Sequence, residues 1–113
     1  AVAGNRVYDI SKAIQDYVES KGYSVVRELV GHGIGTQLHL DPQIPNFSEP
    51  SSSHHNTVLE EGMCLAIEPM VNLGSRHIKT DSDGWTIRTQ DGKPSAHFEH
   101  SILITKFQPR ILT

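Results

Sequence analysis

The sequence predicts an α+β domain in which one or two helices cover an antiparallel sheet. Three features predict this class: an amphipathic helical pattern near the start, three later segments with strand character, and a strong turn signal, Asp91-Gly92, between the last two segments. The 113 residues are enough for one small domain or for a piece of a larger one.

The helical pattern comes first along the chain. Five apolar residues recur at the spacing of one helix face: Val7, Ile10, Ile14, Tyr17 and Val18. Polar residues occupy the opposite face, and Gly22 stands where a C-terminal cap belongs. No N-capping signal precedes the helix, and we therefore expect the start of the chain to be a cut rather than a natural N-terminus.

Strand signals dominate the rest of the chain. The valine-rich residues 23–30 favour extended structure, and the stronger candidates are residues 63–70, 85–89 and 96–105. The Asp91-Gly92 turn predicts that the last two candidates pair as a hairpin. Between these regions, residues 41–62 contain three prolines and a serine run, which predicts an exposed loop.

Composition excludes several classes of protein. The net charge of −3 and the absence of a Lys/Arg cluster argue against a direct nucleic-acid site. No apolar run is long enough to span a bilayer, and the first residues do not form a signal peptide. The single cysteine, Cys64, excludes an internal disulfide framework and fits a reducing compartment, so we expect a cytoplasmic protein without membrane partners.

Two glutamates are the first candidates for chemistry. Glu68 and Glu99 both lie inside strand patterns, where a carboxylate is costly to bury unless it is paired or bound to a metal. A divalent cation would relieve the repulsion between two carboxylates that face one space. The competing interpretation is that each glutamate simply faces solvent on a half-exposed strand.

Histidines supply the second set of candidates. His32 lies between glycines, which allow close backbone approach and could aim its ring into a cleft, although a plain tight turn is an equal alternative. His39 follows seven residues later and could be structural. His97 and His100 flank Glu99 and could orient a metal-bound carboxylate or could lie on the surface. The paired loop histidines, His54 and His55, lack a rigid scaffold, so we expect no catalytic role for them.

These candidates fall within three segments that together match a known family. The segments are Gly31-His32-Gly33-Ile34-Gly35 with His39, then Glu61-Gly62-Met63 leading to Ala66-Ile67-Glu68-Pro69-Met70, and finally Asp83-Gly84-Trp85-Thr86 leading to Ser95-Ala96-His97-Phe98-Glu99-His100. In this order, across nearly the whole chain, they resemble type I methionine aminopeptidases. The sequences around Glu68 and Glu99 favour this branch over prolidases, aminopeptidase P and creatinase. The short span between these glutamates lacks the long insert of the type II enzymes.

The resemblance implies a fold and a domain assignment. Residues 1–113 would form the C-terminal half of a pseudo-twofold "pita-bread" catalytic domain. The family site has five metal ligands: two aspartates, one histidine and two glutamates. His32, Glu68 and Glu99 match the last three by motif. Asp9 and Asp16 do not match the aspartate motif, so the two aspartates, with a second catalytic histidine, are expected in an N-terminal half that this chain lacks.

The resemblance also implies an activity and its participants. Two divalent ions, of cobalt, manganese, iron or zinc, would share a bridging water, with Glu99 between the ions and His32 and Glu68 on one of them. Glu68 would also act as general base, and His39 would contact the scissile peptide. Leu38 and Trp85 would line the methionine pocket. The substrates would be nascent polypeptides that begin with methionine and a small second residue, met at the ribosome.

Two alternatives to a methionine aminopeptidase stay open. One is a proline-directed peptidase of the same fold, which a comparison of two substrates would separate. The other is a non-catalytic binding protein that uses the fold without its chemistry. The presence of His32, His39, Glu68 and Glu99 argues against the second alternative.

Overall fold

The computed structural model describes residues 1–51 and 53–113. Within these residues, one helix packs on strands that form three antiparallel sheets. Helix α1 spans Val7–Ser20, and a 3₁₀ turn spans Ser53–Asn56. The strands are β1 Ser24–Val25, β2 Gly31–Ile34, β3 Leu40–Ile44, β4 Cys64–Ile67, β5 Met70–Asn72, β6 Ile78–Thr80, β7 Ile87–Thr89, β8 Ser95–His97, β9 His100–Leu103 and β10 Arg110–Ile111.

Helix α1 forms as the apolar pattern predicts, with one exception on its buried face. Val7, Ile10 and Val18 are buried, but Tyr17 is 68% exposed, so its assignment to that face was wrong. Tyr17 lies at the edge of the apolar face of the helix, and its ring centroid is 5.7 Å from Lys21 Nζ. Gly22 has φ +80° and donates its N–H to Glu19 O, which ends the helix as predicted.

The start of α1 has a capping contact that the sequence pattern did not reveal. The Arg6 backbone N–H donates to Asp9 Oδ2 at 2.7 Å, the reciprocal half of a capping box. Asp9 also places a negative charge in the first turn, where it complements the helix dipole.

The strands divide among a five-stranded, a three-stranded and a two-stranded sheet. The five-stranded sheet has the order β10-β9-β4-β2-β3, the three-stranded sheet β1-β5-β8, and the third sheet is the β6–β7 hairpin. All pairings are antiparallel, which confirms the predicted α+β class. No helix within residues 1–51 and 53–113 has the length and apolarity that a membrane crossing needs.

The core lies between α1 and the five-stranded sheet. Its buried members come from the helix, from three strands and from the connections next to them: Val7, Ile10, Ile44, Leu59, Leu65, Ile102 and Ile104. Burying each such side chain stabilises the fold by about 1.5–3 kcal/mol. This packing fixes β3, β4 and β9, and β2 pairs with both β3 and β4, so these strands form a platform for the residues described below.

The hairpin predicted across Asp91-Gly92 is wrong. β7 pairs with β6, not with β8, and β8 pairs with β5 of another sheet. Asp91 does form a turn, but its carboxylate accepts N–H groups from both Ser75 and Lys93, so it ties the base of the β6–β7 hairpin to the chain that leaves it. The β6–β7 connection instead closes on Asp83, which accepts the Thr86 N–H and hydroxyl.

The predicted exposed loop, residues 41–62, is in part buried and extended. β3 occupies its first residues, and Ile44, Asn46 and Leu59 are buried. His55 is only 2% exposed, with Nε2 3.1 Å from Phe47 O and Nδ1 2.6 Å from Glu49 O. Both ring nitrogens thus lie near backbone carbonyls, as expected for a buried polar side chain. The proline and serine content of residues 41–62 therefore gave a wrong prediction of exposure for this part of the chain. Ser52, within the predicted loop, lies outside the described residues.

Candidate metal centre

Two glutamates lie opposite each other where the chain passes between two sheets. Glu68 and Pro69 separate β4 from β5, while Phe98 and Glu99 separate β8 from β9. Two cross-strand pairs flank this gap, Ile67 with His100 and Met70 with His97. The β4–β9 and β5–β8 ladders have the same register, and continuing it through the gap places Glu68 opposite Glu99. Opposite residues of an antiparallel pair share a face, and therefore the two carboxylates project to the same side.

The ladder is interrupted at this point for a physical reason. Pro69 has no N–H to donate, so regular pairing cannot continue through it. Phe98 N–H still reaches Pro69 O, at a long 3.4 Å. The predicted strands 63–70 and 96–105 are each divided in two by this break, and the division is where the glutamates lie.

His32 joins the glutamates from the neighbouring strand. It lies opposite Ala66 in the β2–β4 ladder, and Ala66 precedes Glu68 by two residues on the same face. Its Nε2 lies 3.4 Å from Glu68 Oε1, and its Nδ1 lies 3.0 Å from Gly33 O. A hydrogen bond from Nδ1–H to that carbonyl leaves the Nε2 lone pair free for a ligand.

The glycines beside His32 permit this close packing. A Cβ at Gly31 would collide with the carbonyl oxygen of Ala66, and one at Gly33 would collide with the carbonyl oxygen of Asp41. Both contacts are with backbone, which cannot rotate away. Glycine is therefore required here for strand approach, and the tight-turn alternative does not apply because His32 lies within strand β2.

His32, Glu68 and Glu99 form a ligand cluster. One ligand atom from each lies within 4.8 Å of the other two. The His32 and Glu68 side chains are 13% and 15% exposed, while Glu99 is exposed. One imidazole and two carboxylates suit a first-row divalent cation such as Mn²⁺, Fe²⁺, Co²⁺ or Zn²⁺. The donor set and its convergence therefore fit a metal site.

Two further histidines surround this ligand cluster. His39 places its ring centroid 4.2 Å from that of His32, tilted by 52°, and is itself exposed. His97 Nε2 lies 3.2 Å from Glu68 Oε2. His100 is directed elsewhere, since its Nδ1 lies 3.0 Å from Thr113 O.

A cleft of about 560 Å³ opens beside the ligand cluster. His32, His39, Glu68 and His97 line its polar end. The apolar part of the lining comes mostly from residues that sequence reasoning had not selected: Val26, Leu29, Val30, Met70, Ile78 and Ile87. Only Met70 carried a signal in the sequence, because it follows Glu68 by two residues on one strand pattern.

The two residues predicted to line a methionine pocket do not line this cleft. Leu38 is 69% exposed and Trp85 is 86% exposed. Trp85 lies at the tip of the β6–β7 hairpin, where its backbone N–H donates to Asp83 Oδ1 at 2.9 Å. Arg88 of the same hairpin does line the cleft, with its Nε held 2.6 Å from Asp81 Oδ2.

Comparison with known proteins gives one family. The sequence profile of metallopeptidase family M24 matches residues 1–106. Methionine aminopeptidase 1 of Bacillus subtilis is 56% identical over 113 residues, which are all of this chain and 44% of that protein. The crystal structure of methionine aminopeptidase from Thermotoga maritima superposes with a TM-score of 0.92 at 50% identity, and the match covers all of this chain and 44% of that one.

A more distant likeness concerns the fold alone. X-Pro aminopeptidase from Thermotoga maritima superposes with a TM-score of 0.67 at 20% identity, and the match covers 100% of this chain and 25% of that chain. The chain thus spans less than half the length of each of these relatives.

Proposed function

Since this chain belongs to metallopeptidase family M24, we propose that the protein containing it removes the N-terminal methionine from polypeptides. The observation that carries the proposal is the convergence of His32, Glu68 and Glu99 in a chain 56% identical to a methionine aminopeptidase. The likeness to X-Pro aminopeptidase is one of fold at 20% identity and does not favour proline-directed cleavage.

Membership of a metallopeptidase family implies the use of divalent metal. His32, Glu68 and Glu99 would hold this metal, and if two ions are bound Glu99 would be a ligand to both. Glu99 suits that position because it faces Glu68 across the strand gap and is the most open of the three. The two aspartates that complete the family set are expected outside residues 1–113, so the chain alone would hold the metals incompletely and would not turn over substrate.

Bound divalent ions would act as Lewis acids and would lower the pKa of a water molecule, which makes it a nucleophile at neutral pH. Glu68 would receive a proton in this scheme: its side chain lines the cleft, is only 15% exposed and has one oxygen toward His32. His39 lies on the cleft side of His32, where it would donate a hydrogen bond to the developing oxyanion of the substrate.

The apolar part of the cleft would receive the methionine side chain. Val26, Leu29, Met70 and Ile87 line that part of the cleft and offer it apolar contacts. Burying a methionine side chain there would favour it by about 1.5–3 kcal/mol over leaving it in water. Leu38 and Trp85 would contribute to this pocket only if the rest of the protein brings them to it.

The expected substrates are nascent polypeptides whose methionine precedes a small residue, so we place the protein in the cytoplasm, near the ribosome. A two-substrate assay of the full-length protein tests the activity. Release of methionine from Met-Ala-Ser, without release of the first residue from Ala-Pro-Ser, is expected in the presence of Mn²⁺ or Co²⁺. Preferential cleavage of the proline peptide would overturn the proposal, as would a full-length protein that binds metal and cleaves neither.

A further inference from the structure

The carboxylate of Glu68 lies between two imidazoles. Oε1 is 3.4 Å from Nε2 of His32, which belongs to the ligand cluster, and Oε2 is 3.2 Å from Nε2 of His97, which does not. The proposed function uses His32, Glu68 and Glu99 and leaves His97 without a role.

Sheet register explains why His97 reaches this carboxylate. His97 precedes Glu99 by two residues, so both side chains leave the strand on one face. It lies opposite Met70, which places it diagonally across from Glu68. Such diagonal neighbours are within reach of a long or aromatic side chain. The contact therefore follows from the backbone pairing that brings the two glutamates together.

We propose that His97 is a positioning residue for Glu68 and that it acts by donating Nε2–H to Oε2. This leaves Oε1 turned toward His32 and the ion they would share. Without that donor the carboxylate could rotate about its last torsion, and either oxygen could face the metal. The inference rests on the proposed metal-dependent function, and it adds a residue to the machinery without changing the reaction.

Neighbouring histidines do not offer the same contact. His100 lies opposite Ile67, projects to the other face of the strand and meets Thr113 O. His39 contacts the ring of His32 rather than the carboxylate. His97 is thus placed by the fold to orient Glu68, and its 49% exposed side chain makes it replaceable without opening a core cavity.

The test compares three variants of the full-length protein: His97→Leu, which removes the donor, His97→Gln, which keeps an N–H donor, and His77→Leu, a matched change of an exposed histidine on the segment before β6. Co²⁺ affinity by chelator competition, melting temperature, kcat and KM are measured for each. His97→Leu should lower Co²⁺ affinity or kcat about 10–100-fold, with KM and melting temperature nearly unchanged. His97→Gln should restore most of the loss, and His77→Leu should match the parent protein.

Two results would overturn the inference: a His97→Leu protein with parental Co²⁺ affinity and kcat, or a His97→Gln protein as impaired as His97→Leu. These results are separable from failure of the proposed function. A parent protein that binds Co²⁺ without releasing methionine contradicts the function, while the affinity series still decides the role of His97. A parent protein that binds no Co²⁺ overturns both.

Discussion

Glu99 is the side chain whose removal should most affect metal binding, because we assign it to both ions. Glu99→Ala in the full-length protein should reduce the bound metal, measured by elemental analysis, and abolish methionine release. Glu61→Ala provides the control, since Glu61 forms only a surface ion pair with Lys106 at 3.7 Å. Full metal occupancy in Glu99→Ala would remove Glu99 from the ligand set.

His39 should respond differently to the same kind of truncation, because it contacts the ring of His32 but lies outside the ligand cluster. His39→Ala should leave the metal content unchanged and lower kcat by about 10²–10³, since a donor to an oxyanion matters most in the transition state. Steady-state kinetics and elemental analysis check this. A normal kcat with a lower melting temperature would make His39 structural, and lost metal would make it a ligand.

Strand β2 depends on glycine at the point where three strands meet. Gly31→Ala would place a Cβ against the carbonyl oxygen of Ala66 and against the side chain of Ile44. We expect this overpacking to lower the free energy of unfolding of the full-length protein by about 1–3 kcal/mol, measured by urea denaturation. Gly35→Ala is the control, because the atom it would meet is the flexible end of Leu40. Equal stability of both variants would contradict the structure around His32.

The β6–β7 hairpin is closed by a carboxylate, which makes its order dependent on pH. Hydrogen bonds from the Thr86 hydroxyl and from the Trp85 and Thr86 N–H groups hold the pKa of Asp83 below its usual value. A depressed folded pKa means that this contribution is present above the pKa of unfolded Asp and is lost as pH falls through the lower, folded pKa.

We therefore expect the fluorescence of the exposed Trp85 to report a loosening of the turn only once the pH falls below the usual aspartate pKa of about 3.9. Asp83→Ala should show the loosened signal already at pH 7, and Asp16→Ala, which alters only a surface helix pair, should not. An unchanged Trp85 signal in Asp83→Ala would contradict the capping role.

The molecule as a whole leaves several large apolar side chains exposed to solvent. Leu38, Trp85, Phe98 and Phe107 are each more than two-thirds exposed. Because the relatives are more than twice as long, we expect the remaining length of the protein to cover part of this surface. The isolated 113-residue chain should bind an apolar dye and self-associate, and the full-length protein should do neither. A monodisperse chain with cooperative unfolding and no dye binding would contradict this prediction.

Local chemistry made much of the protein predictable. Helix α1 follows from the spacing of Val7, Ile10 and Val18, because helical periodicity is a local property. The α+β class follows from one such pattern followed by strand signals. His32, Glu68 and Glu99 were selected by motif resemblance. The cost of burying an unpaired carboxylate applies to Glu68 but not to Glu99, which is exposed. The structure brings one ligand atom of each residue within 4.8 Å of the other two.

Strand pairing between segments distant in sequence could not be predicted from the local residue pattern. Asp91-Gly92 is a turn signal, but a turn does not specify which strands pair, so the predicted hairpin was wrong and β8 pairs with β5. The contact between His97 and Glu68 depends on that long-range pairing. Residue types and spacing determine which elements form and which side chains can do chemistry. The register between strands distant in sequence determines which of those side chains meet, because only packing against the shared core fixes it.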